Sequence, residues 1–443
     1  MTKEERMRVR LFTWPGLILV AALAVLIGAG VWLSVVGTGA AGQPLAPDSA
    51  VSPRAGAGAT PKLNLQALPA TGPAPRPATC GRPSLAGASG AWLPDWLDDP
   101  NRPSLIAAQA SRLRLLDFFW LHLGATPDSI VRQSGNPGGS SLETVLGAAA
   151  AANPCGWRFI TISDEQTPKS VMAQILLDPK ARWRNVAALA TAMTSYPQAN
   201  GLTLDYEYAL PSSKNDLGLY ASVAHWQGLT DRQEIGRITA SYTEFVRELA
   251  LAMHRQHRTL RVAVRVRTTD EIDYENLSDL TPYLYDYGEL AKYSDQVVLM
   301  AIDFHWSTGD PGPIVTVSDL KRVLTEVRTY HIPGARLAVE SAMYGYDWTL
   351  DPAGHRLAGT QAATITATDL AGRGWVKTGS KDGETYYTYT AGGHRHAVWF
   401  AGTGLKYQAG QLRRLYPGCA VMAWATGSSD PAGSGLILEA LGG

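Results

Sequence analysis

The stretch NGLTLDYEY, Asn200 to Tyr208, sets two carboxylates two residues apart at the end of a short apolar run. Read as a strand, it alternates faces with period two. Thr203, Asp205 and Glu207 then share one face, and Leu202, Leu204 and Tyr206 share the other. The apolar set suits packing under helices, so the acidic face must look into polar surroundings. Two carboxylates forced together on a buried strand are costly unless the site uses them. Paired acids in unlike environments divide into a proton donor and a charge stabiliser. The plain alternative is a strand end that has already reached solvent.

Other chemistries find less support. Cys80, Cys155 and Cys419 have no metal-ligand spacing. His394 and His396 sit two apart with no third ligand nearby, which makes them solvent-facing residues of a hairpin. His122 and His305 are isolated, as structural histidines commonly are. Ser84, Ser163 and Ser341 lack the G-x-S-x-G elbow of serine hydrolases. No Walker or G-x-G-x-x-G fingerprint occurs between a strand and a helix, so no nucleotide cofactor is expected. The formal net charge of 0 and the lack of a basic block exclude a nucleic-acid footprint.

The acids need a frame. From Gly90 onward, short β-like runs alternate with helical periodicity. The strand candidates are Ala91–Pro94, Leu115–Leu121, Arg158–Ile162, Gly201–Glu207, Arg261–Val266, Gln296–Ile302, Arg336–Val339 and Ala420–Ala425. Between them, Ile238, Tyr242, Phe245, Val246, Leu249 and Met253 recur on one helical face, as do Trp183, Val186, Ala187, Ala190 and Met193. Further helices are expected around Leu320–Tyr330 and Leu405–Tyr416. Such strand–helix units predict an α/β fold, a (β/α)8 TIM barrel, with an open doubly wound sheet as the weaker option. In a barrel, Asp205 and Glu207 fall at the C-terminal end of the fourth strand, where such folds keep their working groups. Between Asp351 and about Val398 the rhythm breaks. TYYTYTAGGHRHAVWF reads as a hairpin turning at Gly392–Gly393, within a small α+β insertion after strand seven that walls the cleft.

Residues 1–79 lie outside that fold. Leu11 to Val36 is uncharged and long enough to cross a bilayer, with Trp14 and Trp32 near its ends. Lys3, Arg6, Arg8 and Arg10 precede it, which puts residues 1–10 in the cytoplasm and the rest outside. A retained signal anchor is the expectation; a cleaved signal peptide is the alternative. Residues 37–79 are rich in Ala, Gly and Pro and read as a disordered linker, followed by the folded part 80–443. An oxidising compartment permits one disulfide among the three cysteines. All three precede strands, at the N-terminal rim, and the pairing is left open.

Four places, in order and each at a strand end, carry a resemblance. NGLTLDYE matches the end of a D-x-x-D-x-D-x-E motif. DQVVLMAIDFHWSTGDPGPIV is similar to a segment written M-x-Y-D with a following P-G-P. YGYDW, Tyr344 to Trp348, and VMAWATGSSDP, containing Trp424, complete the set. From about Gly90 to the end the chain resembles family-18 glycoside hydrolases, in particular the branch of bacterial spore-cortex and germination peptidoglycan hydrolases. The resemblance implies substrate-assisted, retaining hydrolysis of a β-1,4 bond next to an N-acetylhexosamine, without a nucleophilic carboxylate. It makes Glu207 the acid and Asp205 the group that holds the acetamido N–H and stabilises the charged intermediate. Asp303, Met300, Trp424, Tyr344, Trp92 and Trp306 follow as substrate-binding candidates. Trp96 and Trp348 join the aromatic candidates for stacking on sugar C–H faces.

The sequence departs from the pattern at three positions. Asn200 and Thr203 stand where the motif has Asp, and Ile302 stands where M-x-Y-D has its tyrosine. Arg265 and Arg267 are unusual company for the acids if they face inward, and Glu340 is a candidate partner for one of them. The expected function is an extracytoplasmic, membrane-anchored glycosidase acting as a monomer on peptidoglycan or chitin-like glycans, with no metal and no cofactor. A glycan-binding pseudo-enzyme is the alternative, and a scaffold for a protein partner the third reading.

Overall fold

The computed structural model describes residues 64–81, 84–97, 102–132, 140–267, 279–373, 375–427 and 430–442. The expected tail 1–10, membrane segment 11–36 and first part of the linker lie outside these residues. Among the described residues, no helix is long and apolar enough to cross a membrane.

In chain order the strands are β1 (Ser89–Pro94), β2 (Leu115–Leu123), β3 (Ile130–Arg132), β4 (Trp157–Ser163), β5 (Gly201–Asp205), β6 (Thr259–Arg265) and β7 (Gln296–Met300). They continue with β8 (Leu337–Ala342), β9 (Gly345–Leu350), β10 (Ala363–Ile365), β11 (Lys377–Lys381), β12 (Glu384–Ala391), β13 (His394–Phe400) and β14 (Ala420–Trp424). Strands β1, β2, β4, β5, β6, β7, β8 and β14 pair in parallel, and β14 returns to β1, closing a barrel. Each strand expected from the sequence is one of these eight. The short β3 lies antiparallel on β2, outside the barrel.

The helices form because their apolar positions recur with the helical period and their ends are capped. In Asp231–Arg255, Thr230 and Gln233 make a reciprocal capping box, and Ile238, Tyr242, Phe245, Val246, Leu249 and Met253 are all buried. In Pro179–Thr194, Asp178 caps the start and Val186, Leu189, Ala190 and Met193 are buried. Trp183 and Ala187 are only half-buried there, because the buried stripe is centred on Leu189 instead. These faces and the outward side chains of the strands form the main core.

The barrel interior is a second core, filled by Trp92, Leu115, Phe119, Phe159, Ala263, Val298, Ala338, Ala420 and Met422. The same inward parity brings Asp117 from β2, Thr161 from β4, Thr203 and Asp205 from β5, Arg261 and Arg265 from β6, and Glu340 from β8. Gly201 opens β5 because a Cβ there would lie 2.2 Å from the Thr259 carbonyl oxygen and 2.6 Å from the Phe159 ring.

Strands β9–β13 form a separate five-stranded antiparallel sheet in the order β10-β9-β13-β12-β11. Its β12–β13 hairpin turns at Gly392 and Gly393, whose φ values of 58° and 81° suit glycine. The insertion begins earlier than expected. Tyr344–Trp348 does not end a barrel strand; β8 stops at Ala342 and Gly345 already starts β9. A Cβ on Gly345 would sit 1.9 Å from the Trp399 carbonyl oxygen, so only glycine permits this approach of β13.

A second correction concerns the linker, expected to be disordered up to residue 79. From Asn64 the chain is a strap packed on the barrel. Leu68 is buried, the Gln256 amide donates to the Pro69 carbonyl at 3.2 Å, and the Ala74 N–H donates to the Pro197 carbonyl at 2.6 Å. The Arg76 guanidinium lies 4.9 Å over the Trp157 ring. Proline-rich chain cannot join a sheet, but it can run extended where neighbours satisfy its few polar groups. Cys80 ends the strap in a disulfide to Cys155, and Cys419 is free and buried. Closing a loop of 75 residues stabilises the fold by roughly 4 kcal/mol on chain-entropy grounds.

Candidate active site

The acids of β5 meet at the C-terminal mouth of the barrel, by two different routes. Asp205 is the last strand residue, 4% exposed, and its side chain points inward. Glu207 lies two residues beyond the strand, and the carboxylate of Asp164 at the end of β4 holds its backbone. Asp164 accepts the N–H groups of Glu207, Tyr208 and Ala209, each at 2.9 Å. Glu207 keeps 16% of its side chain open, and Arg265 approaches its Oε2 to 3.9 Å. Arg265 turns its other nitrogen to Asp279 at 3.2 Å.

This environment pushes protons onto the acids. Burial raises the Glu207 carboxyl to about 7, Arg265 pulls it down and Asp164 pushes it up. Asp205 rises well above the usual carboxylate range, through burial first and then through Glu207, Asp164, Glu340 and Asp117. Burial lifts Asp164 to about 6 against the pull of its three backbone donors. Glu340 is driven well up by burial and by Glu207. In a low-dielectric interior such a crowd of carboxyls cannot all be charged, so the site stores protons at neutral pH.

Beyond β7, Asp303 adopts a left-handed backbone at φ 58°. It accepts the Tyr344 hydroxyl at 2.6 Å and the Tyr346 hydroxyl at 3.1 Å. Tyr344 is therefore turned onto Asp303, and the insertion strand β9 supplies the second hydroxyl. Asp303, next in the chain to Ile302, thus holds two phenols. Met300 is half-buried and packs with Trp424 in the interior core. Trp424 is half-buried at the end of β14, followed by a cis peptide bond to Ala425. Its ring meets Phe119 at 5.3 Å, Trp92 at 5.6 Å and Trp96 at 6.1 Å between centroids.

Two aromatic candidates fail on exposure. Trp92, 1% exposed, and Trp348, fully buried, offer no face to a sugar ring. Trp92 instead backs Trp424 edge-on, and Trp348 packs under Tyr346 at 5.4 Å. Trp306, 56% exposed, and Tyr208, 53% exposed, are open at the rim. Strand parity indicates which residues share a face but not how deep each one lies.

The charged expectations also need revision. Glu340 makes no ion pair with Arg265 or Arg267; Arg267 pairs with Glu326 at 2.8 Å. His396 is not solvent-facing. It meets Asp347 at 2.9 Å, which also accepts the Tyr389 hydroxyl at 2.5 Å. Among the described residues no group of His, Cys, Asp and Glu has the arrangement of a metal site. Sequence reasoning missed Asp117, Arg261 and Asp164. The available signal was a charged residue inside the apolar runs LLDFFWL and TLRVAV, which strand parity alone could not pair.

The profile of glycosyl hydrolases family 18 matches residues 165–404, more than half of the chain. The chain belongs to that family. Among curated relatives, the "putative sporulation-specific glycosylase YdhD" of Bacillus subtilis is 25% identical over 191 residues, 41% of this chain and 42% of that protein. The "cortical fragment-lytic enzyme" of the same organism is 26% identical over 170 residues, 36% of each. The chain thus spans only about half or less of the curated relatives it matches. Among solved structures, the spore cortex-lytic enzyme SleL of Bacillus cereus superposes with a TM-score of 0.60 at 17% identity, over 81% of this chain and 75% of that one. The C-terminal domain of a putative chitinase from Desulfitobacterium hafniense gives 0.61 at 20% identity, over 80% and 99%. At these identities the superpositions establish the fold, a family-18 barrel carrying an insertion between its seventh and eighth strands.

Proposed function

We propose that this family-18 chain is a membrane-anchored, extracytoplasmic glycosidase that cleaves β-1,4 bonds at N-acetylglucosamine in peptidoglycan or a chitin-like glycan. The observation that carries the reading is Glu207: a carboxyl at the barrel mouth, partly open, with its proton held to about pH 7. A general acid needs this combination of reach and retained proton. Glu207 protonates the departing glycosidic oxygen. The acetamido oxygen of the sugar attacks the anomeric carbon, so the bond to the leaving group breaks as the ring closing the oxazolinium forms. Asp205 accepts the acetamido N–H and offsets the positive charge. Water then opens the intermediate, with Glu207 taking back a proton. Asp303 and Tyr344 form the polar side of the sugar site, Trp424 and Met300 its apolar floor, and Trp306 an outer platform.

Glu207→Gln in the full chain should reduce turnover of a peptidoglycan or chitin oligosaccharide by roughly 100- to 10,000-fold, the range expected for loss of an acid, with the circular dichroism unchanged. Undiminished cleavage by the variant, read by mass spectrometry of the products, would overturn the assignment. Thr203 and Ile302 favour a second reading, a glycan-binding barrel without turnover. That reading requires sugar affinity in the parent chain, no product, and indifference to the Gln change.

A further inference from the structure

Beneath the acid pair lies a buried cluster that the mechanism above does not use. Asp117 on β2 is completely buried. Three donors converge on it from three other strands: the Thr203 hydroxyl at 2.5 Å, the Thr161 hydroxyl at 2.6 Å and the Arg261 guanidinium at 2.6 Å. Arg261 is itself fixed, donating to the Gln296 side chain at 3.1 Å and lying 4.9 Å over the Phe159 ring. A carboxylate is acceptor-only, and three converging donors suit its charged form, since a protonated acid would waste one of them. Burial pushes the Asp117 carboxyl upward, while Arg261 and the two hydroxyls pull it back.

Thr203 is the structural link. It lies one inward step below Asp205 on β5, and its hydroxyl hydrogen is committed downward to Asp117. Asp205 keeps an Oδ1 without a hydrogen-bond partner. The groups that face Asp205 are Glu207 from its own strand end, Asp164 from β4, Glu340 from β8 and Asp117 from β2. Arg261 and Arg265 stand on β6, and Asp303 beyond β7. Of these, Asp117 is set beneath the pair with its charge pinned in place.

We propose that Asp117 is a positioning residue of the hydrolytic site, supplying from β2, through Thr203 and its pairing with Arg261, the inner negative charge that keeps a proton on the Asp205–Glu207 pair. The motif position two residues before Asp205 holds a threonine, and β2, on the far side of β4 from β5, brings a carboxylate onto that threonine's hydroxyl. The idea rests on the glycosidase reading for its consequence but not for its test.

The test uses the full chain in detergent. The protonated-carboxyl infrared band of the pair, identified by its loss in Asp205→Asn and Glu207→Gln, is titrated beside the pH profile of kcat/KM. Asp117→Asn should move the titration and the alkaline limb to lower pH by on the order of one unit, because removing a nearby anion makes both carboxyls easier to ionise. The exchange D117T/T203D conserves charge, keeps a carboxylate within reach of Arg261 and brings it nearer to Asp205, so it should move both to higher pH. It also decides the matter if Asp117→Asn does not fold. Titrations unmoved in the folded variants, with only the melting temperature lowered, would reduce Asp117 to a structural role. A shifted titration in a chain without turnover would sink the glycosidase reading and leave this one standing.

Discussion

Glu207 and Asp205 differ by two positions in the chain, yet they sit in unlike surroundings. Glu207 reaches the opening beside Arg265, and Asp205 is sealed among four other carboxyls. Since burial raises Glu207 to about 7, the acid is protonated below that pH and lost above it. Hydrolysis should therefore hold through mildly acidic conditions and fall as the pH passes through about 7. A profile of kcat/KM against pH, taken on a soluble oligosaccharide, checks this. A limb that stays flat to pH 9, about two units beyond the proton's release, would contradict it. Raised carboxyls also carry a stability signature. Their contribution is complete below the unfolded value near 4 and is lost as pH rises through the folded values, about 6 for Asp164 and about 7 for Glu207.

At the scale of elements, the insertion completes the mouth and does more than wall it. Tyr346 on β9 reaches Asp303, and Glu384 at the start of β12 holds the loop that follows β7. The buried Glu384 carboxylate accepts the Ile314 N–H at 2.8 Å, the Val315 N–H at 2.7 Å and the Gln408 amide at 3.1 Å. That loop carries Asp303 and Trp306. Glu384→Ala leaves two buried backbone donors without acceptors, a loss of about 2–5 kcal/mol. The variant should melt earlier and show a raised KM with a smaller change in kcat, because in the proposed site the loop binds sugar and Glu207 transfers the proton. Unchanged melting in a thermal scan would show that β12 does not hold the loop. The helices outside the barrel were legible for a simpler reason: a buried stripe repeats every turn, and Ile238 to Met253 follow it without a break.

At the scale of the whole molecule, the strap from Asn64 to Cys80 ties the start of the folded part to the rim opposite the mouth. Its contacts there are with Pro197, Gln256 and Cys155, all preceding barrel strands. In the proposed topology, residues 11–36 anchor the chain and the barrel lies outside the membrane. The full chain should fractionate with membranes, and protease added to intact spheroplasts should remove the barrel while leaving a small membrane-bound remnant. Recovery of the barrel in the soluble fraction, or its protection until the cells are lysed, would contradict that arrangement.

What the sequence determined by itself is whatever depends on periodicity and local chemistry. That covers the eight strands, the amphipathic helices, the Gly392–Gly393 hairpin, and the placing of Asp205 at a strand end. Depth, pairing and partnership needed the closed barrel. Trp424 stands on a motif and Trp92 does not, but only closure shows that the first is backed edge-on by a buried Trp92. Cys80 had two neighbours to choose from, and the path of the strap chose Cys155. Asp117, Thr161, Thr203 and Arg261 stand on four strands up to 144 residues apart. Only curling the sheet into a cylinder brings their inward faces to one level, and the charge of the acid pair is decided there.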